Sequence, residues 1–371
     1  MTSTKLHLPS HSHATTTDAS NRLSLDYAAE AQRFPALGYG IIDAHAHING
    51  AAACEVWHRA ALLYGIECTY SMTKLEDVPA FKQRFGDAME FIAIPDWNAK
   101  DRRLAQGDPF LTRISEFHAL GSRIVKFWNA PRVMDFAREL NEPGLFALDG
   151  ALRTNAMQHA SQLGMSFMVH VADPDTWFAT KYSDAAKYST KREHYIPLER
   201  ALDRFDNKWL AAHLGGWPED LEFLDGLLER HPNLSLDSSA TKWIVRALSG
   251  HSRDAILQFL TKHTGRILFG TDTVSSDEHF FDGTKSSEMA MKATSATGAF
   301  DLYASRFWAL RMMWEGTGSC PSPIADPDLH LVNPAQCTAD DAPQLRGLDL
   351  PAALLRTLYR DAAIAFFNRA S

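Results

Sequence analysis

Residues 41–50 read IIDAHAHING, and two histidines one residue apart, His45 and His47, close an apolar run. In a strand, residues i and i+2 point to the same face, so the two imidazoles project together. One buried histidine finds a hydrogen bond; two on one face each need a partner or a proton. A divalent metal removes that cost by accepting both nitrogen lone pairs. Further ligands should then stand at the ends of other strands. His170 ends FMVH, His213 ends LAAH and Asp272 ends LFGTD. Four imidazoles and one carboxylate suit Zn²⁺ first, with Fe²⁺, Mn²⁺ or Co²⁺ as alternatives. The HSH at 11–13 copies the spacing without a strand before it, and reads as part of a Ser/Thr/His-rich leader.

The elements that must position these residues recur from residue 39. Short aliphatic or β-branched runs alternate with longer runs of helical period. Strand candidates are 39–47, 65–71, 89–97, 122–128, 166–173, 208–216, 234–240 and 266–272. Helix candidates between them include 54–65, 149–164, 218–231 and 252–263. Asp149 is a candidate N-cap and Pro218 a first-turn residue, while Gly164 and Gly265 are stop signals. Apolar strands alternating with amphipathic helices predict a parallel sheet buried on both faces. Eight such units predict an α/β fold of the (β/α)8 TIM barrel type, with an open doubly wound sheet as the alternative. No GxGxxG follows the first strand, against the dinucleotide-binding form of that alternative. Long βα loops at 129–148, 174–196 and 275–299 would stand over the face where barrels keep their chemistry. The Pro/Asp-rich stretch 317–349 reads as irregular, between two extra C-terminal helices at 300–316 and 351–370. Residues 1–38 are expected as a flexible leader with an N-terminal helix, and 39–371 as one barrel.

Composition narrows the function classes. The net charge is −8 with no dense Lys/Arg cluster, against a nucleic-acid or anionic-membrane partner. No apolar run suits a bilayer span. Four scattered cysteines without a CxxC pair read as reduced thiols, hence a cytoplasmic setting, and no apolar signal segment opens the chain. The expected partner is a small-molecule substrate. The aromatic stretch FWALRMMW leaves a homo-oligomer open.

The ordered set HxH, His, His and Asp on strands 1, 5, 6 and 8, with RILFGTD and the terminal LYRDAAIAFFNR, resembles the amidohydrolase superfamily. The resemblance is to its amidohydrolase-2 branch of metal-dependent hydrolases and decarboxylases, over residues 39–371. It implies that His45, His47 and His170 are metal ligands. Asp272 would ligate the metal or hold its water, and His213 would serve as acid/base. Lys126 in IVKFW sits where two-metal members carry a carboxylated bridging lysine. One ion is favoured; in a binuclear site Lys126 and His213 become ligands too. The implied reaction is hydrolysis: the metal acidifies a water, and Asp272 or His213 takes its proton and passes it to the leaving group. No GxSxG elbow suggests a covalent route. Non-oxidative decarboxylation on the same scaffold is the alternative, with Arg132 or Lys242 as the cation for a departing carboxylate. A non-catalytic metal-holding barrel is a third reading, disfavoured because a closed structural site needs no spare His and Lys.

Trp97, Trp128, Trp177, Trp217 and Trp243, five of nine tryptophans, fall near strand C-termini. Such side chains suit a pocket wall for a flat, ring-bearing or apolar substrate. Asp173, Asn98 and Asn129 are polar groups on the same face that could orient it.

Overall fold

A computed structural model describes residues 5–9, 18–281 and 287–369. The chain forms two compact units, Met1–Thr69 with Ser238–Ala365, and Tyr70–Asp237 with Phe366–Ala370. The HSH at 11–13 lies outside the described residues.

In the first unit, β1 (Ile41–Ile48) is buried along nearly its whole length and is followed by the helix Ala53–Leu63. The strand β2 (Ile66–Ser71) leads the chain onward. The second unit holds β3 (Met89–Phe91), β4 (Ile124–Trp128), β5 (Ser166–His170), β6 (Trp209–Ala211) and β7 (Leu234–Asp237). Here β4, β5, β6 and β7 pair in sequence order and parallel, and Ala93, just past β3, bridges in parallel to Val125. Helices such as Asp108–Ala119 and Ala151–Gln162 make the crossovers that parallel pairing needs. Back in the first unit come β8 (Ile267–Leu268) and β9 (Thr273–Ser275), the latter parallel to β1. The fold is therefore mixed α/β with parallel sheets.

Several predicted strands are shorter than their apolar runs. Those at 89–97, 208–216, 234–240 and 266–272 reduce to β3, β6, β7 and β8. In three of them the backbone turns left-handed where the ladder would have continued: His213, Ala240 and Asp272 have φ of 60°, 63° and 57°. A left-handed residue cannot continue a β ladder, so hydrophobicity overstates their length. Asp149 does not cap its helix, which starts after Gly150; its carboxylate meets Arg200 at 3.1 Å. Pro218 lies before the next helix, Leu221–Arg230, because the Asp220 carboxylate caps it by accepting from the Phe223 N–H at 2.9 Å. Gly164 and Gly265 sit past their helices with φ of 68° and 83°, as stop signals should.

The first residues also differ from expectation. Leu6 and Leu8 are buried, and the Leu6 carbonyl and Leu8 N–H bond to Thr317. Two leucines at strand spacing suffice to dock a segment whose composition otherwise reads as loose. The stretch 317–349 is ordered by an antiparallel pair, β10 (Ser319–Pro321) with β11 (Gln344–Arg346), and by the helix Asp328–Val332. The long helix Ala296–Glu315 buries Phe307, Trp308, Met312, Met313 and Trp314, so FWALRMMW is largely core. Among the described residues, no helix is long and apolar enough to cross a membrane, and Cys54, Cys68, Cys320 and Cys337 are free thiols.

Buried His279 shares a 2.7 Å hydrogen bond with the Tyr303 hydroxyl through Nδ1. Burial lowers its pKa to about 4, helped by the positive charges of Arg306 and Lys292 and opposed by Glu278. The unfolded chain takes up this proton near pH 6.5 and the folded chain does not. Stability from His279 is therefore complete above that pH and falls between it and about 4, by up to about 3 kcal/mol. Urea unfolding at about pH 7.5 and about pH 4.5 should show this loss, and His279→Gln should flatten it.

Candidate metal centre

Alternation along β1 places Asp43, His45 and His47 on one face. Asp43 is fully buried. Its Oδ2 accepts the Thr271 hydroxyl at 2.7 Å, and its Oδ1 accepts the N–H groups of Thr271 at 3.0 Å and His45 at 3.1 Å. Asp43 thus fastens the 271–272 turn to β1. The Asp272 N–H donates to the His45 carbonyl at 2.7 Å. With φ of 57° at Asp272, the carboxylate comes back over β1. Its Oδ1 lies 3.4 Å from His45 Nε2 and 3.2 Å from His47 Nε2. Ser239 Oγ shares a 3.0 Å hydrogen bond with His45 Nδ1.

The ligand atoms of His45, His47 and Asp272 lie within 4.8 Å of one another. When Nδ1–H donates to Ser239 Oγ, His45 turns the Nε2 lone pair toward a carboxylate oxygen. A divalent ion is then what such a donor set accommodates, and two imidazoles with a carboxylate fit one. The His45 side chain is 1% exposed, against 33% for His47 and 27% for Asp272. One ligand is sunk and two reach the surface, which suits a centre with an open coordination position. A cavity of about 190 Å³ adjoins Asp272 and includes Lys242 and Trp243 in its wall. Lys242 Nζ is 3.7 Å from Asp326 and 3.9 Å from Asp328, and Trp243 Nε1 donates to Asp328 at 3.1 Å.

The second unit brings His170 and His213 together, with ring centroids 4.6 Å apart at 80°. His170 Nε2 donates to Asp173 Oδ1 at 3.0 Å, and Tyr182 donates to Asp173 Oδ2 at 2.9 Å. Burial and the neighbouring Asp173 both raise the Tyr182 pKa, which keeps the phenol protonated as a donor. Asp173, expected to orient substrate, holds His170 through Oδ1 and accepts from Tyr182 through Oδ2. The His213 N–H donates to Asp237 Oδ1 at 2.9 Å. His213, Leu214, Gly215 and Gly216 have φ of 60°, 49°, 67° and 81°. Gly216 is required there: a Cβ would fall 2.7 Å from the Ala172 carbonyl oxygen.

Lys126 is buried on β4, opposite Met168 and one step below the Trp128–His170 pair. Paired residues share a face, so Lys126, Trp128 and His170 all lie on it. Trp128 meets His170 edge-on at 6.4 Å. Trp97, Trp177 and Trp217, in the same unit, have other surroundings. Trp97 is exposed, Lys181 sits 3.3 Å over the Trp177 ring, and Trp217 stacks on Tyr195 at 5.7 Å and packs against Phe223. Arg132 is exposed, 5.8 Å from the Phe136 ring, and Asn98 is exposed as well. Asn129 is buried, its N–H donating to the His170 carbonyl at 2.8 Å.

Asp43, Ser239, Tyr182 and Asp237 escaped the sequence reading. Asp43 carried a signal, its i, i+2, i+4 relation to the two histidines. Asp237 carried another, ending LSLD as His170 and Asp272 end their own apolar runs. Ser239 and Tyr182 carried none.

No family model matches the chain, and no curated protein does. Similar solved structures include a 5-carboxyvanillate decarboxylase from Novosphingobium aromaticivorans, in complex with manganese and 4-hydroxy-3-methoxy-5-nitrobenzoic acid. It is 10% identical, with 90% of this chain and 97% of that chain covered and a TM-score of 0.46. An amidohydrolase from Burkholderia multivorans with bound zinc is 13% identical, covering 89% of this chain and 100% of that one, with a TM-score of 0.44. A probable 2-pyrone-4,6-dicarboxylic acid hydrolase from Acinetobacter baumannii is 12% identical, covering 71% and 92%, with a TM-score of 0.41. The neighbours thus include both a hydrolase and a decarboxylase, and one holds manganese where another holds zinc.

Proposed function

We propose that this chain is a metal-dependent hydrolase on a (β/α)8 barrel scaffold, acting on a small cyclic or aromatic carbonyl substrate. The observation that supports it is the convergence of His45, His47 and Asp272 ligand atoms within 4.8 Å, at the C-terminal end of β1. Two imidazole nitrogens and a carboxylate suit Zn²⁺ first. A divalent ion held there supplies Lewis acidity, acidifying water and polarising a carbonyl. Asp272 takes a proton on its carboxylate and passes it to the leaving group. His45, fixed by Ser239, and His47 hold the ion. His170 as a further ligand, and His213 as acid/base, rest on their strand-end positions and the family resemblance. One ion is the simpler reading; a second would need Lys126 in carboxylated form.

Decarboxylation is the second reading; Lys242 lies in the wall of the cavity beside Asp272 and would serve a carboxylate as a cation by exchanging it for Asp326 or Asp328. Metal analysis and a substrate panel test both. Purified protein should carry about one divalent ion per chain, and the His45→Ala/His47→Ala double variant should bind roughly a hundredfold more weakly or worse. Full occupancy in the double variant would sink the proposed centre. On a panel of lactones, esters, amides and aryl carboxylates, CO₂ release without net water consumption would replace the hydrolase reading with the decarboxylase one.

A further inference from the structure

The cavity beside Asp272 has a charge that the proposed chemistry does not use. It lies wholly in the first unit and measures about 190 Å³. Val274, Met289, Leu302 and Ile324 give it apolar walls, and Lys242, Lys292 and Arg306 line it with positive charge. Lys242 is balanced. It shares Asp326 and Asp328 with Arg246, two cations against two buried carboxylates. Arg306 and Lys292 are not balanced in this way. Arg306 Nη1 donates to the Leu302 carbonyl at 2.8 Å and Ser305 Oγ at 2.9 Å, both neutral acceptors. Among the described residues it has no carboxylate within ion-pair distance. Burial lowers its pKa to about 10, so it keeps its charge at neutral pH. Among the described residues the one carboxylate near Lys292 is the 84% exposed Glu288, at 3.3 Å; such a surface pair neutralises little, and the Met289 sulfur, 3.7 Å from Nζ, is neutral.

We propose that Arg306 and Lys292 form an oxyanion-binding subsite, so that the substrate of the centre proposed above carries a carboxylate or phosphate on an apolar body. Arg306 offers donors in a planar fork that matches either group bidentately. Lys292 adds a second charge, and the apolar walls take the body. A neutral ligand of the same shape would cover Arg306 without pairing it, which selects against that ligand. The inference rests on the metal-centre reading for calling the ligand a substrate. The binding itself needs only the cavity.

Calorimetric titration with benzoate, phenyl phosphate and benzamide, on metal-loaded and on chelator-stripped protein, tests it. An anion should bind roughly tenfold or more tightly than benzamide in both forms, and the tighter of the two anions identifies the group. Arg306→Gln should abolish the preference, and Arg306→Lys should restore part of it. Lys292→Gln should weaken the anion about severalfold and flatten its salt dependence. If Arg306→Gln fails to fold, Lys292→Gln at a partly exposed position and the salt dependence decide alone. Equal binding of benzamide, no binding of either anion, or undiminished preference in the folded variants overturns the subsite. Stripped protein that prefers the anion while wild type retains no metal would overturn the hydrolase reading and leave the subsite standing. Metal retention without anion preference would do the reverse.

Discussion

Asp272→Asn should lower kcat/KM by roughly a thousandfold, within the range for losing a positioned acid/base, while leaving the fold intact. Asparagine is nearly isosteric and tolerates the left-handed backbone that Asp272 adopts at φ of 57°. The Asp272 N–H to His45 carbonyl bond survives, because it is made by backbone. What is lost is the negative charge 3.4 Å from His45 Nε2 and 3.2 Å from His47 Nε2, together with the proton acceptor. Metal affinity should fall too, since an amide oxygen is a poorer ligand than a carboxylate. Asp272→Ala is the less clean experiment, because a Cβ-bearing residue without a polar side chain costs about 1 kcal/mol in this conformation. Steady-state rates on the best panel substrate, read beside the melting temperature, check the outcome. Activity within a few-fold of wild type in a folded, metal-loaded variant would remove Asp272 from the chemistry.

The residues that carry the proposed centre were legible because they obey a period. His45 and His47 alternate on one strand, and His170, His213 and Asp272 each close an apolar run. The backbone around them was not legible. His213 and Asp272 stand at positive φ, a choice that no hydrophobic pattern encodes, and so the strands ended earlier than their apolar runs. Gly216 hinted at the same turn, but only the close approach of the Ala172 backbone shows why glycine is needed. Tryptophans near strand ends have more than one surrounding: Trp243 lines the cavity beside Asp272. Trp217 is spent on Tyr195 and Phe223, and Trp97 stands exposed, because an aromatic ring satisfies a helix crossover as readily as a ligand. Asp173 was read as a substrate contact from its position after β5, whereas a buried carboxylate three residues from a histidine reaches that histidine first. The Arg306 and Lys292 charges come from a loop and a helix distant in sequence from any motif, and only the cavity joins them.

Asp43→Ala should be the most destabilising single change near the centre, by about 3–5 kcal/mol. The carboxylate is fully buried and accepts from the Thr271 hydroxyl, the Thr271 N–H and the His45 N–H. Alanine leaves two backbone donors and a hydroxyl without their acceptor in a closed interior, and each orphaned donor costs about 1–3 kcal/mol. It also releases the turn that carries Asp272, so metal affinity should drop by roughly 10–100-fold, as when other outer partners of a metal site are removed. Asp43→Asn separates the two effects. An amide oxygen can keep the two N–H bonds, and the Thr271 hydroxyl can rotate to accept from the amide nitrogen, so stability should largely return. If Asp43 acts by holding the turn, metal affinity returns with stability in the Asn variant. If its negative charge acts on the ion directly, stability returns and affinity does not. Urea unfolding of metal-free protein gives the first quantity and calorimetric metal titration the second. A loss below about 1 kcal/mol in the Ala variant would mean that water replaces the carboxylate, and that the Asp272 turn is held by its own bond to the His45 carbonyl.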